Sequence, residues 1–84
     1  MQLQHNSNIS LFFEQIDSKG IKATCVYNWK KFEYTLRISY KNFEYKYIWE
    51  CNCVPTLAMD DKDYVIYVEK SEELASSIEV DAGI

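Results

Sequence analysis

The stretch FEYTLRISYKNFEYKYIW, residues 32–49, carries the strongest structural signal in the chain. The whole chain has thirteen aromatic residues, namely two Trp, seven Tyr and four Phe, and seven of them lie in this stretch. Apolar and polar residues alternate along it. Successive side chains of a β-strand point to opposite faces, so the alternation indicates two strands that are each buried on one side. The dipeptide Lys41-Asn42 interrupts the pattern and predicts a tight turn, with Asn42 in the positive-φ conformation that such turns need.

A third alternating segment, residues 21–29, precedes this stretch and is separated from it by Lys30-Lys31. Its apolar positions are odd-numbered, those of the next segment are even, and those of the last are odd again. Hairpin loops with an even number of residues therefore bring all three apolar faces to one side of an antiparallel meander. The predicted cross-strand partners are Leu36 with Cys25 and Tyr47, and Tyr34 with Tyr27 and Trp49.

The segment before the meander has the spacing of an amphipathic helix. Ile9, Phe12, Phe13 and Ile16 fall at i, i+3, i+4 and i+7, which predicts a helix from about residue 8 to residue 19. Gly20 would end it in the left-handed conformation. Such a helix would cover the apolar sheet face and bury most of the aromatic residues there. The aromatic residues expected at the margins of the core are Tyr27, Trp29, Tyr40 and Tyr45.

The pattern after residue 53 is looser. YVIYVE, residues 64–69, reads as a further strand, and SEELASSIEV, residues 71–80, as a short helix capped by Ser71 with Leu74 and Ile78 facing the core. Alternatively, residues 64–69 begin one longer helix. The prediction is thus a single α+β domain over residues 1–84, with an N-terminal helix packed on a three- to four-stranded antiparallel meander sheet and a short C-terminal helix. Residues 1–7 and 80–84 are expected to be flexible.

The residue types that carry chemistry are few. Cys25, Cys51 and Cys53 fall on the apolar face of the predicted sheet, where thiols act as packed, reduced filler. The single histidine, His5, stands in a polar N-terminal stretch and is poorly placed as a general base or as a zinc ligand. The two glycines form no phosphate-binding motif. We therefore expect no enzymatic activity, no cofactor and no metal site.

Charge is unevenly distributed along the chain, whose formal net charge is −4. Residues 21–53 carry six basic and three acidic side chains, whereas residues 54–84 carry two basic and eight acidic ones. A negative surface attracts a basic partner and accelerates its encounter, although a charge run can also be only a solvated surface. The predicted partner-binding residues are Asp60, Asp61, Asp63, Tyr64, Tyr67, Glu69, Glu72, Glu73 and Glu79.

An acidic, Tyr-rich chain of 84 residues whose C-terminal part contains DDKDYVIYVEKSEELASSIEVD, residues 60–81, resembles the small phage-encoded proteins that block host defences, among them anti-CRISPR proteins. It also resembles the bacterial immunity proteins that neutralise nuclease toxins. Both resemblances imply inhibition of a nucleic-acid-handling protein by covering its basic surface. The start MQLQHNSN has no basic or apolar run, so we expect no signal peptide, no membrane span and a cytoplasmic protein, in the host cytoplasm if phage-encoded.

Two other functions stay open. KNFEYKYIW, residues 41–49, resembles the aromatic strand of RNA-recognition motifs. The second function is a single-stranded nucleic-acid binder, which would use Arg37, Lys46 and the aromatic residues at the margins of the core. The acidic end of the chain argues against direct binding to phosphates. The third function is an assembly subunit or homodimer that pairs through an edge strand.

Overall fold

The computed structural model describes residues 2–4, 11–51 and 59–84. These residues form five strands followed by one helix, and the fold is α+β as predicted. The elements are β1 (Gln2–Gln4), β2 (Leu11–Ile16), β3 (Lys22–Asn28), β4 (Glu33–Tyr40), β5 (Phe43–Glu50) and α1 (Asp61–Ala82). The strands form one antiparallel sheet in which each strand lies beside its neighbour in sequence, and β1 and β5 are its edges.

The register of the three central hairpin strands is the one that the alternation predicts. Leu36 lies opposite Cys25 on β3 and opposite Tyr47 on β5. Tyr34 lies opposite Tyr27 and Trp49 in the same way. The register is fixed because a slip by one residue would turn every apolar side chain of a strand toward solvent.

The two turns of the meander differ from the prediction in detail. Lys41-Asn42 is a two-residue loop as expected, but Lys41 and not Asn42 has the positive φ, at 53°. The loop between β3 and β4 spans residues 29–32, because pairing ends at Asn28 opposite Glu33. The Asn28 side chain accepts hydrogen bonds from the backbone N–H groups of Lys30 and Lys31, at 3.0 and 3.3 Å. The loop is longer than the predicted two residues but keeps their even number.

The predicted N-terminal helix is wrong, because residues 11–16 form strand β2 between β1 and β3. The part of that prediction at residues 8–10 lies outside the described residues. The helical spacing misleads because it ignores the unpaired backbone edge of β3, which a further strand satisfies and a helix cannot. Phe13 is buried opposite Cys25, whereas Ile16 is exposed. Gly20 has a positive φ as predicted, but in the turn that joins β2 to β3.

The chain from residue 61 to residue 82 is one continuous helix. The predicted strand at 64–69 and the predicted helix start at Ser71 are therefore wrong, and the alternative of one longer helix is confirmed. Asp60 is the N-cap and accepts a hydrogen bond from the backbone N–H of Asp63 at 3.1 Å. Gly83, with φ of 72°, ends the helix. Of the ends expected to be flexible, residues 80–82 belong to α1 and Gln2–Gln4 form strand β1.

Helix α1 packs on the apolar face of β4 and β5, and the core lies between them. Ile78 is fully buried and Leu74 packs beside the core, as predicted. Tyr34 lies at the centre, where its ring is 4.8 Å from that of Tyr27 and 4.9 Å from that of Trp49, measured between centroids. Tyr27 is buried and not marginal, so the aromatic residues of the meander mostly form the core and its border.

Candidate protein-binding surface

The surface of α1 that faces away from the sheet carries most of the predicted acidic residues. A helix with 3.6 residues per turn that buries positions 63, 67 and 78 directs the opposite side of its surface, which holds positions 61, 69 and 72, to solvent. We define the acidic helix face as Asp60, Asp61, Glu69, Glu72, Glu73 and Glu79. The first five of these are exposed and Glu79 is partly buried. Asp61, Glu69, Glu72, Glu73 and Glu79 thus share one face of the helix, and the N-cap Asp60 lies at its start.

Two lysines neutralise part of this face. The Lys70 ammonium lies 3.2 Å from Glu73 Oε2 and 4.8 Å from the centroid of the Tyr47 ring. The Lys19 ammonium, in the turn after β2, pairs with Glu79. Hydrogen bonds to these carboxylates raise the pKa of both lysines above the ordinary value. Within the acidic helix face, Asp60, Asp61, Glu69 and Glu72 form no ion pair with a described residue.

Asp63 does not belong to the acidic helix face, because only 5% of its surface is exposed. Its Oδ1 accepts a hydrogen bond from Trp49 Nε1 at 3.0 Å, and its Oδ2 accepts one from Cys51 Sγ at 3.2 Å. A buried carboxylate needs such donors to offset the loss of water. Asp63 therefore anchors the start of α1 to the end of β5 and is not available to a partner.

Tyr67 is also buried, with 3% of its surface exposed. Its hydroxyl donates to Gln15 Oε1 at 3.4 Å, and its ring lies 6.5 Å from that of Phe13. Burial raises the pKa of the Tyr67 hydroxyl. Of the two predicted tyrosine anchors, only Tyr64, which is 47% exposed, can meet a partner.

The exposed face of α1 also holds two valines that the sequence analysis did not select. Val65 and Val80 are 54% and 81% exposed. The helical spacing contains the signal, since Val65 precedes Glu69 by one turn and Val80 follows Ser76 by one turn. The prediction of a strand at residues 64–69 concealed the exposure of Val65. The surface therefore combines carboxylates with apolar contacts.

The other face of the sheet, which α1 does not cover, shows an unusual arrangement of charge. We call it the open sheet face. Arg37 lies directly opposite Lys46, and Glu33 lies directly opposite Glu50. None of these four side chains forms an ion pair with another described residue. Lys22, by contrast, forms an ion pair with Glu14 at 3.2 Å. Like charges directly opposite on neighbouring strands destabilise a sheet.

The described thiols sit in the interior. Cys25 and Cys51 are buried, and burial together with the nearby Asp63 carboxylate raises the pKa of the Cys25 thiol. A thiol of that kind is a poor nucleophile at neutral pH. In residues 11–51 and 59–84, no three His, Cys, Asp or Glu side chains are grouped closely enough to hold a metal ion. His5 and Cys53 lie outside the described residues.

A groove of about 170 Å³ lies between α1 and the sheet, and its walls include Gln15, Ile21, Tyr67 and Ala75. Sites for small organic ligands are commonly about 300–1,000 Å³, so this groove has room for little more than a side chain.

Among the helices of the described residues, none combines the length and apolar character that crossing a membrane requires.

Comparison with protein-family models, with curated proteins and with solved structures finds no match to this chain. Its function must therefore be argued from its own residues. The two surfaces with a distinct chemical character are the acidic helix face and the open sheet face.

Proposed function

We propose that this protein is a small, acidic, non-enzymatic inhibitor that binds a nucleic-acid-handling protein and covers its basic surface with the acidic helix face. In this proposal it acts in the cytoplasm against a host defence system, as phage-encoded anti-CRISPR proteins do. The observation that supports it best is the set of three carboxylates without ion pairs among the described residues on one exposed helix face, namely Asp61, Glu69 and Glu72.

The arrangement of these carboxylates suits a basic groove. At a rise of about 1.5 Å per residue, Glu69 and Glu72 are separated by about 5 Å along the helix axis, and Glu69 and Glu79 by about 15 Å. A row of fixed negative charges resembles the phosphate row that such a groove normally holds. Helix α1 is capped at both ends and packed on the sheet, so a partner pays little entropy to order it.

Apolar contacts would add affinity that charge alone does not provide. Tyr64, Val65 and Val80 are exposed on α1 beside the carboxylates. Tyrosine is enriched at energetically important interface positions, and charged residues around it mainly steer encounter and set specificity. We assign the anchor role to Tyr64 and the steering role to the carboxylates.

The proposal is tested with two triple variants that change charge equally. The first is Asp61→Asn, Glu69→Gln and Glu72→Gln on the acidic helix face, and the control changes Glu14, Glu33 and Glu44 to Gln on the sheet. Tagged wild-type protein captures its partner from a nuclease-treated host lysate, and affinity is then measured at several salt concentrations. We expect the helix variant to lose about tenfold or more in affinity and much of the salt dependence, because it removes three steering charges.

The outcome of the control decides whether position or net charge matters. If the helix variant binds as tightly as wild type, the acidic helix face is not the binding surface. If both variants lose affinity equally, only net charge contributes, and the proposed surface is wrong.

A second candidate function is single-stranded nucleic-acid binding by the open sheet face. The observation in its favour is that Arg37 and Lys46 lie directly opposite each other. Neither side chain forms an ion pair with a described acidic residue. Fluorescence anisotropy with a labelled single-stranded oligonucleotide separates the two functions. Oligonucleotide binding that is sensitive to salt and is lost in the double variant Arg37→Ala and Lys46→Ala would favour this second function. If the protein is the proposed inhibitor, it should bind almost no oligonucleotide.

A further inference from the structure

Strand β5 is an edge of the sheet, and no strand of the described residues pairs with its outer side. β5 is the last strand of the sheet and eight residues long, and its only neighbour there is β4. A long edge strand presents a row of backbone N–H and C=O groups that can pair with another chain. The question is whether the side chains of β5 favour one partner.

The backbone of β5 restricts which residues can take part. The Cys51 N–H donates to the Phe32 carbonyl at 2.9 Å, so the odd-numbered residues of β5 direct their backbone groups toward β4. The even-numbered residues direct theirs to the free edge. These are Glu44, Lys46, Ile48 and Glu50, whose side chains also lie on the open sheet face.

The two like-charge pairs of the open sheet face involve these same residues. Arg37 with Lys46 and Glu33 with Glu50 both fall at pairs that are not hydrogen-bonded, where Cα atoms are only about 4.5 Å apart. Each pair costs stability in the isolated chain. A partner strand that brought an acid beside Lys46 and a base beside Glu50 would offset both costs at once.

We propose that two copies of this chain pair antiparallel through β5, with Ile48 opposite Ile48 of the second copy. This register places Lys46 opposite Glu50 of the second copy, and Glu50 opposite its Lys46. Rows of four charges then form across the joined sheets, two basic followed by two acidic. The 45% exposed side chain of Ile48 gains an apolar neighbour at the two-fold axis.

The registers centred on Tyr45, Lys46 and Tyr47 are less favourable. Pairing must join even residues to even residues, because only these direct backbone groups to the free edge. A shift that centres the dimer on Lys46 opposes two lysines, and one that centres it on Tyr47 opposes Glu44 to Glu50. A shift to Tyr45 joins Glu44 to Lys46 but leaves the repulsion between Glu33 and Glu50.

The position of α1 is compatible with this dimer. The helix packs over β4 and β5, so the two-fold axis would place two helices about 10 Å apart, which is a normal packing distance. The side of α1 toward the free edge holds Ser77 and Asp81, next to Tyr45. Lys70, which lies over Tyr47 of β5, and its partner Glu73 are also on this side. The carboxylates of Asp61 and Glu72 would remain exposed, so the dimer would present two sets of them.

Sedimentation analysis of the full chain across a range of concentrations tests the proposal. We expect a concentration-dependent dimer. Lys46→Glu should raise its dissociation constant by about tenfold or more, because two attractive pairs become repulsive. The double variant with Glu50→Lys should restore it. Lys46→Glu also removes the repulsion with Arg37, so loss of the dimer cannot be ascribed to an unfolded monomer. The control, Lys22→Glu, lies two strands inside the sheet and should dimerise as wild type does.

Disulfide trapping tests the register itself. In the proposed dimer the two Ile48 Cα atoms form a hydrogen-bonded pair about 5.5 Å apart, which suits a disulfide. Ile48→Cys should cross-link to itself under mild oxidation, whereas Glu44→Cys and wild type should not. A chain that stays monomeric at millimolar concentration, or a dimer insensitive to Lys46→Glu, overturns the proposal. Cross-linking through Glu44→Cys and not Ile48→Cys overturns the register.

Discussion

The two faces of the sheet follow opposite rules. On the face beneath α1, each cross-strand row joins compatible side chains, such as Leu36 between Cys25 and Tyr47. On the open sheet face, two rows join like charges, Arg37 with Lys46 and Glu33 with Glu50. The side chains of the inner face are buried and complementary, so their contribution to the stability of the fold explains why they are there. The open sheet face lowers that stability, which is the pattern expected of residues that serve contacts outside the chain.

The largest effect should come from the anchor of α1 on the inner face. Asp63→Ala removes the acceptor of the Trp49 and Cys51 hydrogen bonds from a buried site. Hydrogen bonds to charged groups contribute about 1.5–3 kcal/mol each, and Trp49 would keep a buried donor with this acceptor gone. We expect the free energy of unfolding to fall by about 3 kcal/mol, measured by urea denaturation.

The exposed Asp61, two residues earlier, is the matched control. Asp61→Ala changes the charge of the first helical turn in the same way but has no buried partner, so it should cost about 0.5 kcal/mol or less. If the two variants lose equal stability, the Asp63 carboxylate acts only through the helix dipole and does not anchor α1.

The site residues that sequence reasoning misplaced are those whose environment depends on this docking. Local charge and helical spacing are sufficient to assign Glu69 and Glu72 to an exposed helix face. They are not sufficient for Asp63 and Tyr67, which become buried only because the start of α1 lies against Trp49 and Phe13. An acidic residue within an acidic run carries no local mark of burial.

The fold shows the same division between local and distant causes. The meander was predictable down to its register because the alternation and the loop parity are local properties of the sequence. Strand β2 was not, since a helical spacing was overruled by the need to pair the edge of β3. Residues 64–69 fit a strand or a helix by their apolar content alone, and their packing within α1 decides between them.

A smaller effect is expected from two tyrosines of the inner face that differ by one hydrogen bond. The Tyr27 hydroxyl donates to the Cys51 carbonyl at 3.3 Å, whereas the buried Tyr34 hydroxyl has no hydrogen-bond partner in the described residues. Burial is the main cause that raises the pKa of the Tyr34 hydroxyl. Tyr27→Phe should therefore cost about 1 kcal/mol in the free energy of unfolding, and Tyr34→Phe should be neutral or stabilising.

Thermal and urea unfolding of the two single variants measure this difference directly. Both substitutions remove one oxygen from a fully buried ring, so changes in packing volume largely cancel between them. If Tyr34→Phe lowers the free energy of unfolding as much as Tyr27→Phe does, the Tyr34 hydroxyl forms a hydrogen bond after all.

The smallest effect separates the two faces most directly, because it asks whether the open sheet face is improved by a single change. Glu33→Lys turns the Glu33–Glu50 pair into an opposite-charge pair, and we expect a gain of about 0.5 kcal/mol in the free energy of unfolding at low salt. The control is Glu44→Lys, which changes charge equally but lies opposite Ser39 and should gain less. Added salt should stabilise the wild type more than the Glu33→Lys variant, since screening relieves the repulsion only where it exists. If Glu33→Lys gains nothing over the control in dilute monomer, the paired carboxylates do not repel each other. The like-charge rows would then need no external partner, and the dimer through β5 would lose one of its two electrostatic arguments while keeping the one at Lys46.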